Sequence, residues 1–385
     1  MLLALLFTVV LNRIGLFREV ETTVLDAQMK MDLPAEESNV VIVDITQEDF
    51  QTFFKGQTRP LNPTALQELI EAIAAGHPCV IGVDADTSFD QFKDFHVSEK
   101  YMLADFVWSR SADISDNAEQ DTVPLKVLGR QDPALDGKSG IPILQDDDKG
   151  VTRFYSRLVK TTQGDLPSFA WAVFKEGKRR KCQGIKFPDL EETTEPLIIS
   201  YSRGAEGAGR TRIPAAQIFK FAEHNWQNDA MIRNKIVLLG GSYLGEDKSE
   251  TPFGPMNGVE ITANVIESDL RGKSIKPPSF LSIILLQIFD GILLITMFQI
   301  FSWRKAALLS LPVIIFLSLA CSFFTYHSLS HWAFFVPVMI GIGLTELFED
   351  AREHFKHRYR REITKTYQEL SGHPPGEEQT TPADK

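Results

Sequence analysis

The chain has 385 residues, with 40 lysines and arginines against 51 aspartates and glutamates, and a formal net charge of −11. Nothing in so acidic a protein offsets phosphate repulsion, which argues against nucleic acid as a partner. Three cysteines, Cys79, Cys182 and Cys321, are too few for a disulfide scaffold or a cysteine-rich zinc site. At 43% hydrophobic and 24% charged residues the averages are globular, but the apolar residues gather at the two ends of the chain. It reads as a membrane protein wrapped around a soluble domain.

Met1 to Leu11 is apolar and uncharged, followed by Asn12-Arg13 and Ile14 to Phe17. It has neither a basic leader nor an A-x-A cleavage site, so residues 1–17 read as an uncleaved transmembrane anchor, with a signal peptide as the alternative. Residues 18–278 read as one domain. The run VVIVDIT (40–46) is a buried strand ending in acid, and Asn62-Pro63 supplies a helix cap and first-turn proline. Leu66, Leu69, Ile70 and Ile73 then recur at helical spacing until Gly76. CVIGVDADT (79–87) is a second strand, and a strand–helix–strand unit of this length implies two parallel strands.

Residues 88–150 are polar and loop-like. The triplet Asp146-Asp147-Asp148 invites a calcium reading, but no EF-hand pattern surrounds it, and a solvated turn is expected. EPLIISY (195–201) and KIVLLG (235–240) read as two further buried strands, with a helix from Ile213 to His224 that has Pro214 in its first turn. After the loop 240–258, Val259, Ala263, Ile266 and Leu270 share one helical face. The alternation predicts an α/β domain with a mostly parallel sheet covered by helices on both sides.

Ligands of such sheets bind beyond the carboxyl ends of the strands. That rule brings together Asp44, Asp84, Asp86, Gly240, Gly241, Ser242 and Asp247 as the candidate ligand-binding set. The two glycines resemble half a phosphate cradle, but no G-x-G-x-x-G or P-loop motif exists, and clustered acids repel phosphate. The same acids can instead cap neighbouring loop amides, and both readings stand. A metal-dependent enzyme built on Asp44, Asp84, Asp86 and Asp247 lacks a nucleophile, a base and ligand spacing. No G-x-S-x-G or H-E-x-x-H occurs, so no enzyme, metal or cofactor is expected. A Cys79–Cys182 disulfide is compatible with a location outside the cell, although spacing does not show it.

From Phe280 to Thr345 the only ionised residues are Asp290, Arg304 and Lys305. Three transmembrane helices are expected within 279–349, near 280–302, 306–326 and 332–348. Arg304-Lys305 and the basic run from Arg352 to Lys365 face the cytoplasm by the positive-inside rule, which leaves the acidic domain outside. Asp290, mid-span, is either a polar lock that shifts during signalling or a locally satisfied side chain beside Gln287. Residues 350–385 read as a cytoplasmic helix and a disordered tail. Phe355, Tyr359, Ile363, Tyr367 and Leu370 form a stripe that could pair in a homodimer, dock an output protein or lie on anionic membrane lipid.

These residues resemble the second type of CHASE domain, the sensing extracellular module associated with cyclases and histidine kinases in bacterial receptors. The similarity rests on VVIVDIT (40–46), RPLNPTALQELIEAI (59–73), VIGVDADTSF (80–89), DKGVTRF (148–154), LPSFAWAVF (166–174) and NKIVLLGGSYLGEDKSETPFGPMNGVEITANVIESDLRGKSI (234–275), and covers roughly 1–350. It implies a bacterial cytoplasmic-membrane sensor with its main domain outside, three following spans and no catalytic residues in the sensing domain. Its ligand is undefined. Arg153 fits a D-x-G-x-x-R-like segment, whereas Pro63 stands where the family usually has arginine. Only about 35 residues follow the last expected span, so the output, a cyclase or kinase, is expected on a separate protein. An orphan receptor acting only as a dimer partner is the alternative.

Overall fold

The structure is a computed structural model. It describes residues 18–31, 38–56, 61–87, 89–92, 95, 97, 105–110, 112–113, 126–127, 138–142, 144–147, 149–162, 164–201, 211–223, 231–245, 248–272, 275–276, 292, 296, 299–300, 303–328, 332, 359 and 363.

Helix α1 (Arg18–Met31) buries Leu25, Gln28 and Met29. Strand β1 (Val40–Ile45) is buried at every position, as a strand covered on both faces must be. Helix α2 (Gln47–Thr52) starts in a capping box between Thr46 and Asp49, and α3 (Pro63–Ala75) starts where the Asn62 side chain accepts from the Thr64 and Ala65 amides. Strand β2 (Val80–Val83) follows, then β3 (Asp105–Ser109), β4 (Ala112–Asp113), β5 (Lys126–Val127), β6 (Ser139–Gly140), β7 (Gln145–Asp146), β8 (Thr152–Tyr155), β9 (Leu158–Thr161) and β10 (Gly164–Pro167). Helix α4 (Phe169–Arg180), β11 (Leu197–Ile198), β12 (Arg212–Pro214), α5 (Ala215–Glu223), β13 (Ile236–Gly241), β14 (Lys248–Ser249), β15 (Met256–Asn257), α6 (Gly258–Leu270) and α7 (Trp303–Ser328) complete the order.

Six strands form one wholly parallel sheet in the order β12-β1-β13-β2-β3-β6. Side chains alternate across it. Val41, Val43, Ile81, Val83, Val237 and Leu239 pack with Phe50 of α2, Leu66, Leu69, Ile70 and Ile73 of α3 and Ile218 of α5 in an apolar core. The opposite face meets α4 and α6. There a Cβ on Gly82 would collide with Val173 of α4, and one on Gly240 with Val259 of α6. A second sheet of three antiparallel strands, β11-β8-β7, lies outside the first.

The parallel α/β architecture agrees with the sequence reading, with four corrections. EPLIISY contributes only Leu197–Ile198, and this strand pairs with β8 in the small sheet rather than joining the large one. Ile213 and Pro214 belong to an edge strand, where the missing N–H of a proline is tolerated, and the helix begins at Ala215. The polar stretch 88–150 supplies β3 and β6 to the large sheet. Helix α6 is buried from Val259 to Asp269 on all sides, not on one face.

The chain divides into two compact units, one of residues 22–277 with 325–332, the other of 1–21, 278–324 and 333–385. Counted over the described residues, no helix is long and apolar enough to cross a membrane. Helix α7, 26 residues long, contains Pro312, and many of its side chains are outside the described set. Residues 1–17, Asp290, the third expected span and most of 350–385 also lie outside the described residues.

Candidate functional site

At the carboxyl edge of the large sheet, β1 ends in Asp44, whose side chain is nearly inaccessible and points to the α6 face. Its Oδ2 accepts from Nε (3.1 Å) and Nη2 (2.8 Å) of Arg212, the first residue of β12, and from Oγ of Ser242 (2.9 Å). Nη1 of the same guanidinium bonds Oε1 of Glu260, in the first turn of α6. Oδ1 of Asp44 is buried without a hydrogen-bond partner among the described residues. One arginine therefore joins two carboxylates from different elements and fixes the start of α6 against β1 and β12. Two N–H groups of one guanidinium converge on the single oxygen Oδ2 of Asp44, and these charge-assisted bonds are stronger than neutral ones.

The other expected residues divide. Gly240 is registered opposite Asp44, and Gly241 opposite Ile45. Both glycines are explained by packing, since a Cβ would fall 2.7 Å from Val259 at the first and 2.1 Å from the Tyr243 ring at the second. Asp84 follows β2, half-buried, and its amide donates to Leu239 O (2.8 Å). Asp86 is exposed, and Asp247 lies outside the described residues. The acid that does cap loop amides is Asp49: its Oδ2 accepts from the Thr46 and Ala215 amides, its Oδ1 from the Ala216 amide. Among the described residues no group of three or more histidine, cysteine or carboxylate side chains is arranged to hold a metal ion.

The densest buried charge lies elsewhere, around β8. Arg153 of β8, 6% exposed, holds both oxygens of Asp26 on α1 through Nε and Nη2 (2.8 Å each), and also bonds Asp147 through Nη1. Asp147 thus joins this network while still forming the expected turn: its Oδ1 accepts from the Lys149 and Val151 amides, and Asp146, Lys149 and Gly150 are exposed. The Asp26 hydrogen bond is the largest influence raising the Arg153 guanidinium above its ordinary pKa, against the opposing effect of burial. Two residues on, Tyr155 Oη donates to Asp269 Oδ1 of α6 (2.7 Å). Arg157 donates to the same oxygen from Nη2 (2.7 Å) and Nε (3.1 Å), and from Nη1 to Glu191 O (2.8 Å). Its guanidinium lies 4.9 Å from the Trp171 ring centre, a cation–π contact made away from water.

Burial pushes the Asp269 carboxyl above the usual range despite Arg157 and Tyr155, and Asp269 Oδ2 has no partner among the described residues. Burial, and then the nearby Asp269 charge, raise the Tyr155 hydroxyl well above its usual value. Ion pairs so thoroughly desolvated gain little net stability; removing one partner is severe because it strands the other. What they supply is a discrete arrangement.

Helix α6 carries such contacts along its whole length. Glu260 takes Arg212 at the carboxyl edge; Glu267 at the amino edge accepts from Ser38 Oγ (2.7 Å) and the Asn39 amide (2.9 Å); Ser268 bonds Ser200; and Asp269 takes Arg157 and Tyr155. The sequence reading singled out Arg153 alone of the β8 set. Arg157 and Asp269 carry no motif, and only their contacts across 112 residues identify them.

Comparison with curated proteins and with solved structures returns no match. The CHASE2 domain profile matches residues 2–302, which contain the large sheet, the β8 network and α6. With that match over most of its length, the chain belongs to the CHASE2 domain family, a family of sensory extracellular domains.

Proposed function

We propose that the protein is a membrane-bound sensory receptor subunit of the bacterial cytoplasmic membrane. In this reading residues 18–278 lie outside the membrane, 1–17 and the three spans of 279–349 cross it, and 350–370 passes the signal to a cytoplasmic cyclase or kinase. A homodimer and contact with membrane lipid go with this reading. The observation that carries it is the segment of β8 and the two residues that follow it. Four residues apart, Arg153 grips α1, which continues from the N-terminal segment, and Arg157 grips α6, which leads toward the C-terminal segment. A ligand transmits nothing unless it favours one arrangement over another. Buried ion pairs favour discrete alternatives over gradual sliding, so a displaced β8 would shift both connections together.

The test is cross-linking through 351–370 in native membranes, followed by purification of the intact protein. Specific recovery of a cyclase, kinase or phosphodiesterase module is expected. Recovery of the chain alone, as a dimer without output, would favour an orphan dimer partner instead. Surface labelling of a cysteine introduced at exposed Asp86 in intact cells is expected to succeed, and protection from an impermeant reagent would overturn the topology.

A further inference from the structure

At the amino edge of the large sheet, opposite the Asp44 cluster, lies a cavity of about 390 Å³. That volume is within the range of small-molecule sites, roughly 300–1,000 Å³. Its walls come from three places: the turn after α3, the end of α4 with the residues following it, and the turn before β13. Its polar lining is His77, Arg180, Lys181, Gln183 and Asn234, and no carboxylate is among the residues that line it. In a chain of net charge −11 this is a local inversion of sign.

Two opposing terms decide what such a cavity would hold. The carboxyl ends of α3 and α4 arrive here, each bringing roughly half a negative charge. Counted with the carboxylates beside them, Lys138, Arg179, Arg180 and Lys181 bring four positive charges against Asp105 and Glu176, so with the two helix ends the balance is about +1. The last carbonyls are already taken: Ile73 O and Ala74 O by the Gly76 and His77 amides, Gly177 O and Lys178 O by those of Cys182 and Lys181. The lining therefore favours an anion.

The walls are built to keep their shape. His77, Lys181 and Asn234 have left-handed backbones (φ 57°, 57° and 59°), three of the four non-glycine residues that do so among those described. Such conformations persist only where their surroundings enforce them. The Asn234 amide donates to His77 O (3.1 Å), Asn234 Nδ2 donates to Gln183 Oε1 (3.3 Å), and a Cys79–Cys182 disulfide ties the first wall to the second. Asp105, at the start of β3, accepts from Arg180 Nη1 (2.7 Å) and fixes the guanidinium at the rim. A site assembled before its ligand arrives loses less entropy on binding.

We infer that the cavity between His77, Arg180, Lys181 and Asn234 binds a small oxyanion, a phosphate or a dicarboxylate. This deepens the sensor reading, on which it rests for its consequence but not for the binding itself. The experiment is calorimetry on the full-length protein in zwitterionic nanodiscs at low ionic strength, with inorganic phosphate and succinate as separate probes. Saturable binding of at least one probe is expected, weakened at least tenfold in Arg180→Gln/Lys181→Asn, because asparagine keeps the left-handed backbone. Preference for phosphate over succinate, or the reverse, assigns the source of the oxyanion.

Unchanged circular dichroism and a retained disulfide establish that the variant is folded. Should it misfold, Lys181→Asn and Gln183→Ala, each alone, are read in the same way. Absence of saturable binding of either probe to the parent protein, or equal affinity in the folded variants, overturns the inference. Binding without recovery of any output module in the cross-linking experiment would leave the site standing and remove the relay.

Discussion

Both faces of the large sheet are packed with apolar side chains, but the face under α6 also carries a network of buried charge. On one, α2, α3 and α5 lay Phe50, Leu66, Leu69, Ile70, Ile73 and Ile218 against Val41, Val43, Val237 and Leu239, with scarcely a polar atom among them. On the other, α6 buries Glu260, Thr262, Asn264, Glu267, Ser268 and Asp269. Apolar burial is non-directional and scales with area, so the first face secures stability. The polar contacts of the second add little net stability each but permit few arrangements, because each buried carboxylate must meet its own donors.

That contrast can be broken most severely at Asp269. Asp269→Ala strands the buried Arg157 guanidinium and is expected to destabilise by about 4 kcal/mol. Replacing all three groups, Arg157→Met and Tyr155→Phe with Asp269→Leu, should restore stability to within about 1 kcal/mol of the parent while uncoupling β8 from α6. Denaturant unfolding of the full-length protein in detergent, read by tryptophan fluorescence, measures both. A triple variant as unstable as the single one would contradict the claim that the cluster specifies rather than stabilises.

On the apolar face no such rescue exists. Leu69, fully buried, should cost about 3 kcal/mol as Leu69→Ala in the same assay, and the α6 contacts should be unaffected. The smallest effect is expected at Asp105. Burial opposes its ionisation, but hydrogen bonds from Arg180 and Lys138 prevail and hold its pKa below the usual carboxylate range. Its stabilisation is thus fully present above the unfolded value, near pH 4, and lost as pH falls through the depressed folded value. Asp105→Asn should flatten this acid limb and lower neutral-pH stability by under about 1 kcal/mol, since Lys138 and Arg180 are partly in solvent and screened.

The apolar half of this comparison was legible in the sequence. Leu66, Leu69, Ile70 and Ile73 recur at the helical period, Asn62 caps them, and VVIVDI and IVLLGG are strands because they are apolar on both faces. The polar half was not. A buried Glu267 or Asp269 looks the same in sequence as a solvated one, and the partners are supplied by strands more than a hundred residues away. Ile213-Pro214 misled for a related reason. A proline at a helix start and a proline on an edge strand carry the same local signal, and only the neighbour β1 decides. At the carboxyl edge Asp44 and Ser242 do meet directly, but Arg212, which ties Asp44 to Glu260 of α6, was proposed by no spacing rule.

The order β12-β1-β13-β2 also sets a timetable for the nascent chain. β1 and β2 flank β13 and never touch each other, so neither inner edge can be closed until residues 236–241 have been synthesised. Roughly two hundred residues must wait with unpaired strand edges, the condition in which partly folded chains aggregate. Sheet assembly is therefore a late and slow event. Until it completes, the first half of the domain depends on helper proteins, or on local helix formation alone, to remain competent to fold.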